Sequence, residues 1–281
     1  MPCLERMMYV LVLIWVMREE QGRNMSFHIP VKGNLKLQKV LENIGNDAEL
    51  IQLFKCANMN AVDRSGINDH GEVHIRIASN AGLRILRLLV RGGVVPSVVK
   101  DYGMEVHDAE VVVVLAACLH DIGIAIHRHD HERHSLVLAY PKSRQLLEGV
   151  YEEPALTIMT SEVMHAIVAH NAKETCLTVE AGVLKVADAL DMSQGRSRIP
   201  FEAGKVNIHS ISARAVENVD IEPGEERPVR IVITLANSAG IYQVDELLRH
   251  KLQNSSIAEH VEVIARIEGE MERRIVETYR L

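Results

Sequence analysis

Aromatic side chains are scarce in this chain, at 4% of its 281 residues, which leaves few flat surfaces on which nucleic-acid bases could stack. Basic charge is short as well. Acidic residues outnumber Lys and Arg for a net charge of −7, so stable nucleic-acid binding is not expected. The cysteines Cys3, Cys56, Cys118 and Cys176 stand far apart and form no Cys-x-x-Cys pair. Their spacing argues against a disulfide framework or a cysteine zinc site and fits a reducing, cytoplasmic setting. Long apolar runs are missing too. Met7 to Met17 is unbroken but well short of the ~20 residues that span a bilayer, so no membrane span is expected.

The remaining composition, 47% hydrophobic and 25% charged, is that of an ordinary globular protein with ample length for a packed core. Histidine is the unusual component. There are 14, and His120, His127, His129, His131 and His134 lie close together. Residues 1–25 form an apolar leader followed by a charged stretch, with no small-x-small cleavage site. They are expected to pack as a short helix, or to be upstream sequence preceding a start at Met25.

Apolar periodicity predicts a mainly α chain. Leu35 to Ile44, Leu50 to Met59 and Val73 to Leu89 read as helices, the last closed by Gly92-Gly93. Asp108 is the expected cap of a helix that runs to His120 and is apolar nearly all round. Its β-branched run Val111 to Val114 also suits a buried strand. Further helices are read at 131–149, 160–170 and 179–191. The character changes near Pro200: Val219 to Ile221, Val229 to Leu235 and Val261 to Ile267 read as strands, and Tyr242 to Gln253 and the last dozen residues as helices. The expected organisation is therefore a leader at 1–25, a helical core at 26–200 and a small α+β domain at 201–281. The strand Val261 to Ile267 and the terminal helix, with Met271, Ile275 and Tyr279, offer a surface for a homo-oligomer, although covering their own sheet explains both as well.

The dyad His120-Asp121 ends the most apolar helix, where a charged pair is expensive to bury unless something compensates it. A metal ion would do so, and so would an Asp that merely orients a core His. His74 and Asp188 stand on two other apolar-faced helices, so three helices each bring a His or Asp element to a buried side. Two imidazoles and two carboxylates suit Mn, Mg, Fe or Zn. Neighbours on a regular helix point about 100° apart. A change of geometry at Ile122-Gly123, or an Asp121 placed between two ions, would reconcile the pair.

The order His74, His120-Asp121, Asp188 resembles the H…HD…D signature of the HD superfamily of metal-dependent phosphohydrolases, over roughly residues 65–200. Leu184 to Met192, with Gly195-Arg196, is also similar to the last motif of the superfamily's ppGpp-hydrolase branch. The resemblance implies a helical HD core in which His74, His120, Asp121 and Asp188 hold one divalent ion. His131-Glu132-Arg133-His134-Ser135 is similar to the H-E-x-x-S stretch of two-metal members, and Ala166 to His170 to their later A-I-x-x-H helix. His131 and His170 are carried over as ligands of a second ion on that basis. His127, four residues before His131, is a candidate ligand or proton donor. The dyad Asp121, His127 and His131 are the candidate catalytic residues; Arg128, Lys185 and Arg196 are candidate phosphate clamps.

What the resemblance implies is hydrolysis of a phosphate ester, most naturally of a nucleotide, by a phosphomonoesterase or phosphodiesterase that attacks with a water acidified by the metal. Ile124 departs from branches that carry a Lys or Glu at that place, and the acidic pair of the ppGpp hydrolases is absent. The rival readings are an HD-type di-iron oxygenase, which reuses nearly the same ligands, and a non-catalytic nucleotide-binding regulatory module.

Overall fold

The computed structural model describes residues 28–192, 208–268 and 278–280. The leader at 1–25, Arg196, Met271 and Ile275 lie outside the described residues, as does the side chain of Tyr279. No helix among the described residues is long and apolar enough to cross a membrane.

Helix α1 (Leu35–Asn46) begins where Asn34 Oδ1 accepts from the Leu37 N–H at 2.9 Å, and buries Leu37, Val40 and Ile44. Asp47 caps α2 (Ala48–Asn58), which widens into a π-helical turn, Met59–Arg64. Next come the long α3 (Glu72–Arg91), a short α4 (Ser97–Tyr102) and α5 (Val106–Leu119).

The β-branched run belongs to α5 and is helical. Every residue from Asp108 to Leu119 is buried there, against α1, α3 and two later helices, α7 (Ala155–Ala169) and α8 (Val179–Ala189). Burying a valine or leucine yields roughly 1.5–3 kcal/mol. That outweighs the at most ~0.7 kcal/mol by which β-branching disfavours a helix. A helix also satisfies its own backbone in a position walled by other helices, where a strand would need partners. The cap lies earlier than the sequence suggests: Glu105 is the N-cap and Asp108 the returning member of a capping box, its Oδ2 accepting from the Glu105 N–H at 2.9 Å. Between α5 and α7 runs α6 (His131–Leu147), which packs on α7 and on the short 3-10 turn Ile122–Ala125.

After α9 (Ile208–Arg214) come β1 (Val216–Pro223) and β2 (Val229–Leu235), an antiparallel pair. A π-helical stretch, Gln243–Arg249, leads into the single turn α10 (His250–Gln253) and crosses to β3 (Val261–Ile267), parallel to β2. The last described residues form β4 (Thr278–Arg280), not the expected helix. They pair antiparallel with Ile264 to Arg266, whose free edge would otherwise leave backbone donors and acceptors unpaired. With the order β1-β2-β3-β4, β3 is flanked on both sides over that stretch and offers no edge to a second copy there.

The buried face of the sheet (Val229, Ile231, Ile233, Val261, Val263) joins the helices in one continuous apolar cluster. The segment after α10 is tied to α8: Ser256 Oγ donates to the Thr178 carbonyl, Asn254 Nδ2 to the Ala172 carbonyl, and a Cβ on Gly182 would meet Ser256 Oγ at 2.4 Å. This seam brings the C-terminal part against the helix that carries Asp188.

Candidate metal centre

His74 enters from the first turn of α3, and His120-Asp121 from the end of α5. His120 keeps helical angles (φ −62, ψ −32), whereas Asp121 sits at φ −106, ψ 0, and the 3-10 turn follows at once. That break cancels the divergence of a regular helix, and His120 Nε2 and Asp121 Oδ2 come within 3.2 Å. The turn is locked from α6: Gly123 N–H donates to Ser135 Oγ at 2.8 Å, and Ser135 Oγ donates to the His120 carbonyl at 2.6 Å. Only glycine fits, since a Cβ at 123 would lie 2.2 Å from the His131 carbonyl oxygen. His131 opens α6, His170 closes α7, and Asp188 lies in the last turn of α8.

These side chains converge on two adjoining points. His74 Nε2 is 3.1 Å from His120 Nε2, 3.4 Å from Asp121 Oδ2 and 3.2 Å from Asp188 Oδ1. His120 Nε2 and Asp188 Oδ1 are 3.6 Å apart. The other oxygen of Asp121, Oδ1, is 3.0 Å from His131 Nε2 and 3.8 Å from His170 Nε2, and those two nitrogens are 3.4 Å apart. Ligand bonds of about 2.1 Å place neighbouring donors about 3.0–3.4 Å apart, at right-angled or tetrahedral spacing. The first set meets that spacing closely and the second is slightly looser, so both donor sets fit a divalent ion, with Asp121 offering one oxygen to each.

The remaining ring nitrogens are held from behind. His74 Nδ1 is 2.6 Å from Asp191 Oδ2; His120 Nδ1 faces the Ala117 carbonyl at 2.9 Å, and His170 Nδ1 the Ile167 carbonyl at 2.5 Å. Each of these arrangements directs the Nε2 lone pair at the centre. His131 differs: Arg128 Nη1 donates to its Nδ1 at 2.7 Å, while Glu132 Oε2 stands 3.2 Å from the same atom. A neutral imidazole that accepts at Nδ1 carries its proton on Nε2. Ligation through Nε2 therefore requires Nδ1–H to turn to Glu132 and releases Arg128.

Without an ion the carboxylates govern the titrations. Burial would push His74 down, but Asp188 and Asp191 outweigh it and raise the imidazole to about 9. Burial opposes His120 as well, and Asp121 with Asp188 lifts it to about 10. Against their own burial, Asp121 is held well below the carboxylate range by His120 and His131, and Asp188 by Lys251, His120 and His74. His170 is pushed well down by burial and by the charge on His120.

The other expected residues are placed as follows. His127 is exposed, accepts the His129 N–H at Nδ1 (3.0 Å), and shares a cleft with Arg128, His131, Glu132 and Lys173. Lys185 does not point at the ligands as expected. Long helical side chains lean toward the helix N-terminus, and this one runs back to the carbonyls of Glu174 and Asn254, fully buried. Ile124 is core, packed with Ala57 and Ala61. Three further residues belong to the site. Asp191, just past the end of α8, had a readable signal in its place three residues after Asp188. His70, lowered to about 4 chiefly by burial, packs its ring 5.4 Å from that of His74. Lys251, whose ammonium binds Asp188 Oδ2, comes from α10 and had no local signal at all.

Comparison with known proteins agrees with this geometry. The family model described as HD domain matches residues 95–193, which carry His120, Asp121, His131, His170 and Asp188. An uncharacterized protein of Methanocaldococcus jannaschii is 40% identical over 251 residues, covering 89% of this chain and 96% of its own length. The chain belongs to the HD-domain family. No solved structure matches it. HD-domain proteins are in general metal-dependent hydrolases, and the His/Asp groups of this HD-domain chain are the ones that could hold the metal.

Proposed function

We propose that this HD-domain protein hydrolyses a phosphate ester of a small molecule, a nucleotide being the natural class, at a pair of divalent ions. The observation that supports this most is the splitting of Asp121, with Oδ2 in one donor set and Oδ1 in the other. Under this reading His74, His120, Asp121 and Asp188 hold the first ion, and Asp121, His131 and His170 the second. Such ions lower the pKa of water and neutralise charge on a phosphoryl group.

The chain's own residues supply the rest. Arg128, released from His131 Nδ1 when that ring ligates, lies at the cleft beside the second donor set and is free to hold a phosphoryl oxygen. His127 accepts at Nδ1, so its neutral form carries a proton on Nε2 and can hydrogen-bond the leaving oxygen; the acid that protonates a leaving alkoxide is its imidazolium, which must first give up the His129 N–H. His131, with Nε2 inside the cluster, acts as a ligand, not as that acid. Lys185 has no part in the phosphate site under this reading, because two carbonyls hold its ammonium.

The test is metal analysis of the purified protein, followed by phosphate release over nucleotides and cyclic nucleotides with Mn or Mg under anaerobic conditions. Asp121→Ala is expected to lose bound metal and about 10²–10³-fold or more in turnover, as for removing a principal electrostatic group. Unchanged turnover in that variant, with loss of ligand affinity alone, would sink the hydrolase reading and favour a regulatory module.

A further inference from the structure

The HD match stops at residue 193, yet a cation from beyond it reaches the ligand cluster. Lys251 sits in α10, on the seam that ties the C-terminal part to α8, and its ammonium binds Asp188 Oδ2 while Oδ1 of the same carboxylate faces His74 and His120. Asp188 and Lys251 also line one groove together with Asn68, Met192, Ala213 and Leu247. In the wall of that groove Asn68 Oδ1 is buried with no hydrogen-bond partner among the described residues. A polar atom buried in that state is unfavourable unless a ligand or water meets it.

From these contacts we infer that Lys251 binds the phosphoryl group of the substrate, and that the groove between the end of α8 and the Gln243–Gln253 helical region seats the ester. The inference rests on the hydrolase reading above. The physical reason is a competition for one carboxylate. In the ion-free chain Asp188 shares its charge between two imidazoles and the ammonium. Once ions take the carboxylate charge of Asp121 and Asp188, the positive charges at the site outnumber the acids, and an adjacent ammonium attracts a further anion. A phosphoryl group bound at the first ion presents its oxygens within reach of a lysine that already touches one of that ion's ligands. Lysine suits the role as a compact charge with three rotatable donors. Met192, Ala213 and Leu247 give the groove an apolar side, and Asn68 a hydrogen-bonding one, which is what a small organic ester with polar edges requires.

Inorganic phosphate, the product common to phosphomonoesters, is the probe. Its binding to the Mn-loaded full chain is measured by calorimetry for wild type, Lys251→Met and Lys251→Arg, with metal content determined on the same samples. Lys251→Met is expected to keep its metal and its melting temperature but bind phosphate about tenfold more weakly or worse, as for one lost charge-assisted hydrogen bond. Lys251→Arg should recover most of that affinity. Phosphate affinity unchanged in Lys251→Met overturns the inference while leaving the hydrolase reading standing. Metal lost from Lys251→Met also overturns it, because the lysine would then serve only to position Asp188. A wild-type protein that takes up no metal and releases phosphate from no ester fails the hydrolase reading itself.

Discussion

Gly123→Ala is the most demanding single test of how the centre is assembled. The added Cβ would stand 2.2 Å from the His131 carbonyl oxygen, 2.3 Å from the Ser135 nitrogen and 2.8 Å from the His134 carbonyl carbon. All three are backbone atoms of α6, so no side-chain rotation relieves the clash and the first turn of that helix must move away. Overpacking of this kind costs about 1–3 kcal/mol, and breaking the Gly123 N–H to Ser135 Oγ to His120 carbonyl relay leaves buried polar groups worth a further ~1–3 kcal/mol, so roughly 2–6 kcal/mol is expected. For a chain of this size that lowers the melting temperature by about 10 °C, at ~2–4 °C per kcal/mol. The same movement carries His131 away from Asp121, so the second ion should be lost more readily than the first. Thermal unfolding followed by circular dichroism reads the first effect, and metal content after dialysis the second. A variant that melts within about 2 °C of wild type with its full metal content would refute the claim that this contact sets the site.

Two further outcomes follow from the surroundings of the ligands. Asp191→Asn keeps the shape but removes the charge behind His74 Nδ1, and metal affinity is expected to fall about 10–100-fold with the fold intact, as a metal titration would show. The pH dependence has a definite sign. His74, raised to about 9, and His120, raised to about 10, are imidazolium at neutral pH in the ion-free chain and must lose that proton to ligate. Metal affinity should therefore rise with pH, and binding should release protons, which calorimetry in buffers of different ionisation enthalpy detects. Because these folded-state values lie above the ordinary ~6.5, the pairs stabilise the ion-free protein fully below that pH and lose the contribution as pH climbs through about 9–10. Chemical denaturation of chelated protein across pH 6 to 10 would expose the wrong sign at once.

Much of this molecule could be read without its tertiary structure, and the reasons are local. Apolar spacing marked the helices around His74, His120 and Asp188, because a side facing the core must repeat with the helical period. The cost of burying His120-Asp121 pointed to a compensating cation, and the family resemblance added His131 and His170. Other features depended on contacts that no window of sequence contains. Val111 to Val114 were compatible with helix or strand until neighbours on every side made the self-satisfied backbone the better choice. The last described residues became β4 because β3 had an edge to fill. Lys185 carried the right spacing and the wrong direction, since its partners are the Glu174 carbonyl just before its own helix and the distant Asn254 carbonyl. Lys251 lies 63 residues from the carboxylate that it binds. Residue type and period act over one or two turns of chain, whereas the electrostatic environment of a buried carboxylate is summed over whatever the fold packs around it. The candidate ligands were therefore legible early, and the cation beside them became visible only once the sheet and α10 had docked on α8.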